Sequence, residues 1–315
     1  MNLDHAAPEE EPVCSAWPRL VQAALVIFLA ISILIFAFSF IVANPAALRE
    51  EVRRLTSQVD ELKQEQAMPS FVLNRYRNSI CYIFGIYQVG FPNEKPVQRT
   101  RISGTGFVVA NGLIATNRHV AEPWYGDADA DPLIAKGATA TLEKLVAYFP
   151  GSPAPVSLTP AALSSDGDLA VVRMNELPPF PLQSLPLATN NPDAGELVAV
   201  VGYPMGVLGM MAKAPTPVYA RLAFRHDDQG TASELAALSL IRPSATCGHL
   251  GDVVGDKLIY DAPTAHGASG GPVFNSRGEV IGVNAAYIDG FSGGTLGVSS
   301  QALKPLIEQA QKKSF

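Results

Sequence analysis

Apolar and polar positions along this chain follow three periods in turn, and each predicts a different kind of element. From Leu20 to Ala43 no charged residue interrupts the apolar run. At about 1.5 Å of rise per residue, a helix of that length reaches the ~30 Å of a bilayer's hydrocarbon core, so residues 20–43 are expected to span a membrane. Ala43 has the small side chain of a cleavage site, but signal-peptide cores run only ~7–15 residues, which favours an uncleaved anchor. Residues 1–19 ahead of it, with Glu9-Glu10-Glu11, read as a solvated polar tail.

After the anchor, Leu48, Val52, Leu55, Val59 and Leu62 recur at alternating spacings of four and three, with Glu, Arg and Lys between them. This heptad seam alternates valine and leucine, which favours a parallel two-stranded coil. So short a coil is marginal alone. Residues 44–67 therefore read either as a coiled-coil stalk that makes a homo-oligomer or as a stalk helix packed on its own domain.

From Met68 onward the apolar period drops to two. Strands are expected at 78–88, 100–109, 145–148 and 169–173. Prolines, which cannot donate to a sheet, mark 178–192 as a connection and put an internal boundary near 178–195. A second set is expected at 197–201, 217–224, 235–241, 258–261, 272–274, 280–286 and 295–298. A terminal helix, capped by Ser299 or Ser300, shows Leu303, Leu306, Ile307 and Ala310 on one face. Residues 68–315 thus read as one all-β domain closed by a helix.

Candidate chemistry lies at strand ends. In His266-Gly267-Ala268-Ser269-Gly270-Gly271-Pro272, glycines flank a serine and let successive N–H groups converge. Ser269 is the candidate nucleophile, and the N–H groups of Gly267 and Ser269 form a candidate oxyanion hole. A plain glycine-rich turn is the competing reading, and it weakens only if a base and a carboxylate are present. His119 ends a hairpin turned by Asn111-Gly112, and Asp168 opens an apolar strand. Gly267-Ala268-Ser269-Gly270-Gly271 also fits the G-x-S-x-G elbow of α/β-hydrolases, where the histidine comes last, but no histidine follows Ser269. The order His119, Asp168, Ser269 is that of chymotrypsin-fold proteases, and the spacings suit two six-stranded antiparallel barrels with the site between them.

Within that group, residues 79–311 resemble the HtrA/Deg-type proteases of the bacterial envelope. The resemblance rests on Gly104-Thr105-Gly106-Phe107-Val108-Val109, Thr116-Asn117-Arg118-His119-Val120, Asp168-Leu169-Ala170-Val171, Val201-Gly202-Tyr203-Pro204, the stretch from Asp261 to Pro272, and Leu296-Gly297-Val298. It implies a serine endopeptidase without cofactor, acting on proteins or peptides in envelope quality control or regulated proteolysis. A catalytically silent scaffold that binds peptides in the same cleft is the alternative. The resemblance makes Asn284-Ala285-Ala286 one wall of the specificity pocket. Pro263 stands where trypsin-like enzymes carry an aspartate, and His266 lies nearby. Two departures stand out. Ala268 replaces an asparagine that many members carry, and no residues follow for the PDZ domain that many members have.

The remaining features narrow the picture. A formal charge of −6 argues against nucleic acid. Asp127, Asp129 and Asp131 alternate like calcium ligands, but Pro132 and Ala138 occupy positions where the loop needs glycine and glutamate. Neither His226-Asp227-Asp228 nor Cys247 with His249 has the spacing of a zinc site, so no metal is expected. Of the three cysteines, Cys14 precedes the anchor, which leaves Cys81 and Cys247 as the one pair able to bridge within a domain; their bonding stays open. Counting Arg19 against Arg49, Arg53 and Arg54 puts the protease domain in the cytoplasm. The resemblance implies the reverse, a bacterial inner-membrane anchor with the domain periplasmic.

Overall fold

The computed structural model describes residues 17–42, 45–287 and 294–312. The expected polar tail up to residue 16, with Cys14, and the anchor's end at Ala43 lie outside them. The chain divides into two compact units, Met1–Leu62 and Lys63–Phe315.

In the first unit, helix α1 (Trp17–Val42) contains the stretch Val21–Ser39, with mean hydropathy 2.7, long and apolar enough to cross a membrane. Helix α2 (Pro45–Tyr76) follows, and its seam residues Leu48, Val52, Leu55, Val59 and Leu62 are all exposed.

The second unit is built on twelve strands, β1 (Ile80–Gly90), β2 (Gln98–Ala110), β3 (Leu113–Thr116), β4 (Thr139–Tyr148), β5 (Val156–Leu163), β6 (Ala170–Met174), β7 (Leu197–Gly202), β8 (Ser244–Val254), β9 (Lys257–Tyr260), β10 (Pro272–Asn275), β11 (Val280–Tyr287) and β12 (Thr295–Ser299). They close into two antiparallel barrels, in the orders β1-β2-β3-β6-β5-β4 and β10-β11-β12-β9-β8-β7. Short helices α3 (Arg118–Ala121) and α4 (Ala130–Ala135) decorate the first. Helices α5 (Gly206–Ala212), α6 (Thr216–Leu222) and α7 (Asp228–Ala237) lie between β7 and β8, and α8 (Leu303–Lys312) ends the fold.

Period-two alternation explains why several strands read as unbroken apolar runs. Along β1, Cys81 and Ile83 point into a core confined to the first barrel, while Ile80, Tyr82 and Phe84 join a second core shared by both barrels. Along β7, Val198 and Val200 fill the second barrel, and Ala199 and Val201 face the shared core. Both faces of each strand are therefore dry. Leu303, Leu306 and Ala310 of α8 complete the shared layer behind a Ser299 cap, whose hydroxyl accepts from the Gln301 N–H. The Asn111-Gly112 turn forms as expected, with Gly112 at φ +72.

Two expected strands are corrected. Residues 217–224 lie instead largely in α6, and 235–241 form the end of α7 and the turn that follows it. Pro217 sits in the first turn of α6, where its fixed φ suits a helix. Asp227 caps α7 by accepting from the Gly230 N–H at 3.0 Å, and Thr231, Ala232, Leu235 and Ala236 are buried at helical spacing. In the second barrel their place is taken by β8, and the first barrel contains β5, which was also not expected. Pro160 interrupts β5 at a bulge, and β8 carries Gly248, where a Cβ would lie 2.2 Å from an Asp261 oxygen.

Cys81 and Cys247 are both free thiols, one inside the first barrel and one on β8 of the second. Burial pushes the Cys81 thiol pKa far up, which makes it inert. The acidic loop also has a structural role. Asp127 accepts from the N–H groups of Asp129 and Ala130 and from the Tyr87 hydroxyl at 3.0 Å, so it braces the start of α4.

Candidate active site

His119 and Asp168 are brought together by two short turns. Asn117 ends the extended chain of β3, and α3 begins at Arg118. Across from it, Ser164 accepts from the N–H groups of Asp166 and Gly167 and folds the loop that presents Asp168. The Asp168 carboxylate then accepts twice from one residue, from the backbone N–H of His119 at 3.0 Å and from its Nδ1 at 2.7 Å. A carboxylate can only accept, so Nδ1 carries a proton, and in the neutral ring Nε2 is left as the acceptor. Asn117 donates to the Asp168 carbonyl at 2.7 Å, and Arg118 donates to the Ser164 carbonyl at 2.8 Å while stacking over Tyr125. Both residues lock the histidine turn to the aspartate loop. The neighbouring motif residues carried no visible sign of this bracing.

Ser269 lies on a loop that only glycines allow. Gly267 and Gly270 have φ of +89 and +87, and a Cβ on Gly270 would lie 2.1 Å from the Thr105 carbonyl oxygen. Thr105 stitches the loop to the first barrel. Its N–H donates to the Ser269 carbonyl at 2.8 Å, and its hydroxyl donates to the Gly267 carbonyl at 2.7 Å. Within its glycine motif, nothing in the neighbouring sequence marks Thr105 for this role. Among the described residues, the N–H groups of Gly267 and Ser269 make no backbone hydrogen bond, which leaves both able to receive an oxyanion.

The Ser269 hydroxyl donates to the Ala285 carbonyl at 3.0 Å. That carbonyl is available because the β11–β12 register shifts between Asn284 and Ala286, so Ala285 stands outside the ladder as a bulge. Ala285 and Asp168 also line a cleft of about 710 Å³ together with the 163–169 turn, β12 and α8. Pro263 is exposed and its carbonyl accepts from Thr246 Oγ1; His266 is exposed and its carbonyl accepts from the Met205 N–H. Asn284, expected in the pocket wall, is buried, with its carboxamide bonded to Tyr260, Thr264 and Ala268. Ala286 pairs with Leu296, and its side chain lies outside the described part.

Residues 104–283, more than half of the chain, match the trypsin-like peptidase domain. The chain is 30% identical over 216 residues to a protein of Chlamydia pneumoniae described as "Probable periplasmic serine endoprotease DegP-like", a match covering 66% of this chain and 34% of that protein. It is 27% identical over 227 residues to a protein of the same description from Brucella suis biovar 1, covering 70% of this chain and 34% of that one. The chain therefore spans about a third of the length of these relatives. The active form of a protease from M. tuberculosis shares the fold, with a TM-score of 0.50 and 17% identity over 78% of this chain and 86% of that one. With its matched domain spanning both barrels and all three motif serine, histidine and aspartate positions, the chain belongs to the trypsin-like peptidase family.

Proposed function

We propose that the chain is a serine endopeptidase, held to a membrane by α1, that hydrolyses peptide bonds through an acyl-enzyme. Asp168 holds the His119 ring, and Nε2 takes the proton from Ser269 Oγ as that oxygen attacks the substrate carbonyl. The N–H groups of Gly267 and Ser269 receive the oxyanion. His119 returns the proton to the leaving amine, and a water then releases the acid. The observation that carries this reading is the pair of hydrogen bonds from His119 to the Asp168 carboxylate, one from the backbone N–H and one from Nδ1, which supports a ring turned with Nε2 toward the substrate. The relatives' descriptions as periplasmic serine endoproteases support a place in the envelope, and the resemblance of the motifs suggests work there in quality control or regulated proteolysis.

A second reading, a silent scaffold that binds peptides in the cleft, draws on the Ser269 hydroxyl's bond to Ala285. Such a bond is worth only about 1 kcal/mol net, too little to hold the hydroxyl against a competing base. Labelling of the full chain in detergent by a peptidyl phosphonate separates the two. The endopeptidase reading expects labelling that Ser269→Ala abolishes and His119→Ala slows by several orders of magnitude. An unlabelled, folded wild type establishes the scaffold.

A further inference from the structure

The oxyanion donors named above must be aimed, and the inference here rests on that reading of Gly267 and Ser269. In a trans peptide the C=O and the following N–H point in opposite directions. Whatever grips one carbonyl therefore aims the next residue's N–H. The Gly267 N–H shares its peptide unit with the His266 carbonyl, which accepts from the Met205 N–H at 2.6 Å. The Ser269 N–H shares its unit with the Ala268 carbonyl, which accepts from the Gly271 N–H at 3.0 Å and from Asn284 Nδ2 at 3.1 Å.

Asn284 is built into this arrangement more firmly than a pocket wall needs. It is 1% exposed, and its Oδ1 accepts from the Tyr260 hydroxyl at 2.7 Å. Nδ2 also reaches Thr264 Oγ1 at 3.2 Å. The Ala268 carbonyl can only accept, so the carboxamide nitrogen must face it, and the Tyr260 hydroxyl then donates to Oδ1 at the other end. The backbone joins in: the Gly270 N–H donates to the Asn284 carbonyl, and the Asn284 N–H donates to the Gly271 carbonyl, both at 2.8 Å. One residue of β11 thus grips the peptide units before and after Ser269. Ala268 itself offers no polar group, and a Cβ on Gly202 would lie 3.4 Å from its methyl, so that side chain is packed away from the hole.

We propose that Asn284 is a positioning residue for the oxyanion hole, with its carboxamide aiming the Ser269 N–H through the Ala268 peptide unit. Tyr260 is its support. A donor that is aimed rather than supplied matters most when the oxyanion forms, so its loss lowers kcat and leaves substrate affinity alone.

The test uses the full chain in detergent with Asn284→Ala, Asn284→Asp and Tyr260→Phe. When ionised, the aspartate keeps the shape and the acceptor for Tyr260 but presents no donor to Ala268, so its kcat is read at a pH high enough to charge it. Both Asn284 variants are expected to lose kcat by about tenfold or more with KM within about twofold. Affinity for a peptide boronate, which forms a tetrahedral adduct, is expected to fall by the same factor as kcat. Affinity of an uncleaved peptide for the Ser269→Ala background is expected to stay constant. Tyr260→Phe, nearly isosteric, is expected to show the same pattern more weakly, and it serves if the Asn284 variants do not fold. Unchanged kcat, or a rise in KM that accounts for the whole loss, overturns the proposal. If the wild type reacts with phosphonate at Ser269 while the variants keep full kcat, the positioning role alone fails. If the wild type neither reacts nor cleaves, the protease reading fails and takes this role with it.

Discussion

The Thr105 hydroxyl, on a strand of the first barrel, donates to the Gly267 carbonyl in the serine loop of the second at 2.7 Å, and accepts from the Tyr203 N–H at 3.0 Å. One buried side chain therefore sets the serine loop against the barrel that carries His119 and Asp168.

Thr105→Val keeps the shape and leaves a buried carbonyl and a buried N–H without their partner. A loss of about 1–3 kcal/mol is expected, measured by urea unfolding of the purified chain. Thr105→Ser should retain most of it. Equal stability of Val and Thr would mean that the two orphaned groups find partners elsewhere.

Gly270→Ala places a methyl 2.1 Å from the Thr105 carbonyl oxygen and 2.2 Å from Thr116 Oγ1, at a φ of +87 that alanine resists. Neither neighbour is the end of a flexible chain. Phosphonate labelling of Ser269 is expected to slow by more than tenfold, roughly the effect of a misplaced donor. Labelling at the wild-type rate would show that the loop can relax without harm.

Specificity is expected to follow the missing carboxylate at Pro263. A substrate Lys or Arg buried there would leave its charge unpaired, which is costly. Cleavage of a mixed peptide library is expected after Val, Ala or Leu. Dominant cleavage after Lys, Arg or Glu would refute the apolar pocket.

The exposed seam from Leu48 to Leu62 is expected to pair two copies of the chain. Leu55→Glu with Val59→Lys should convert a detergent-solubilised dimer to monomer in sedimentation. A wild type that is already monomeric at membrane-like concentration would remove the coil.

A reporter fused after Phe315 addresses orientation. Activity is expected only for an extracytoplasmic reporter such as alkaline phosphatase. Activity of a cytoplasmic reporter instead would vindicate the arginines at 49, 53 and 54.

The candidate catalytic positions were legible because the chemistry needs particular residue types in order. Gly267 and Gly270 sit at positive φ with close approaches that exclude other residues, and the order of His119 and Asp168 before Ser269 selected one fold. The strands with both faces buried were legible too, since dry faces leave long apolar runs. What stayed hidden is set by contacts between distant residues. In β8 the glycine at 248 answers to Asp261, and nothing in the neighbouring letters shows it. The α6 and α7 segments hold short apolar groups that fit either period, and Asp227 as a cap decides only once the helix exists. Asn284 was placed correctly along β11, but which way its carboxamide works depends on the Ala268 carbonyl and the Tyr260 hydroxyl, both distant in the sequence.

The last turns of α2 belong to the protease unit. Met68, Val72 and Tyr76 are buried in the shared core, Tyr76 stacks on Phe274 at 5.3 Å between ring centres, and Phe71 covers the Gly278 turn. Phe274 lies on the strand that leaves the serine loop. Where the chain is severed would therefore matter more than whether it is. A cut ahead of Lys63 sheds a fragment that still carries its own plug over that strand. A cut within 68–76 would unseat the plug and open the shared core beside Phe274, so two cuts a few turns apart on one helix would leave very different fragments.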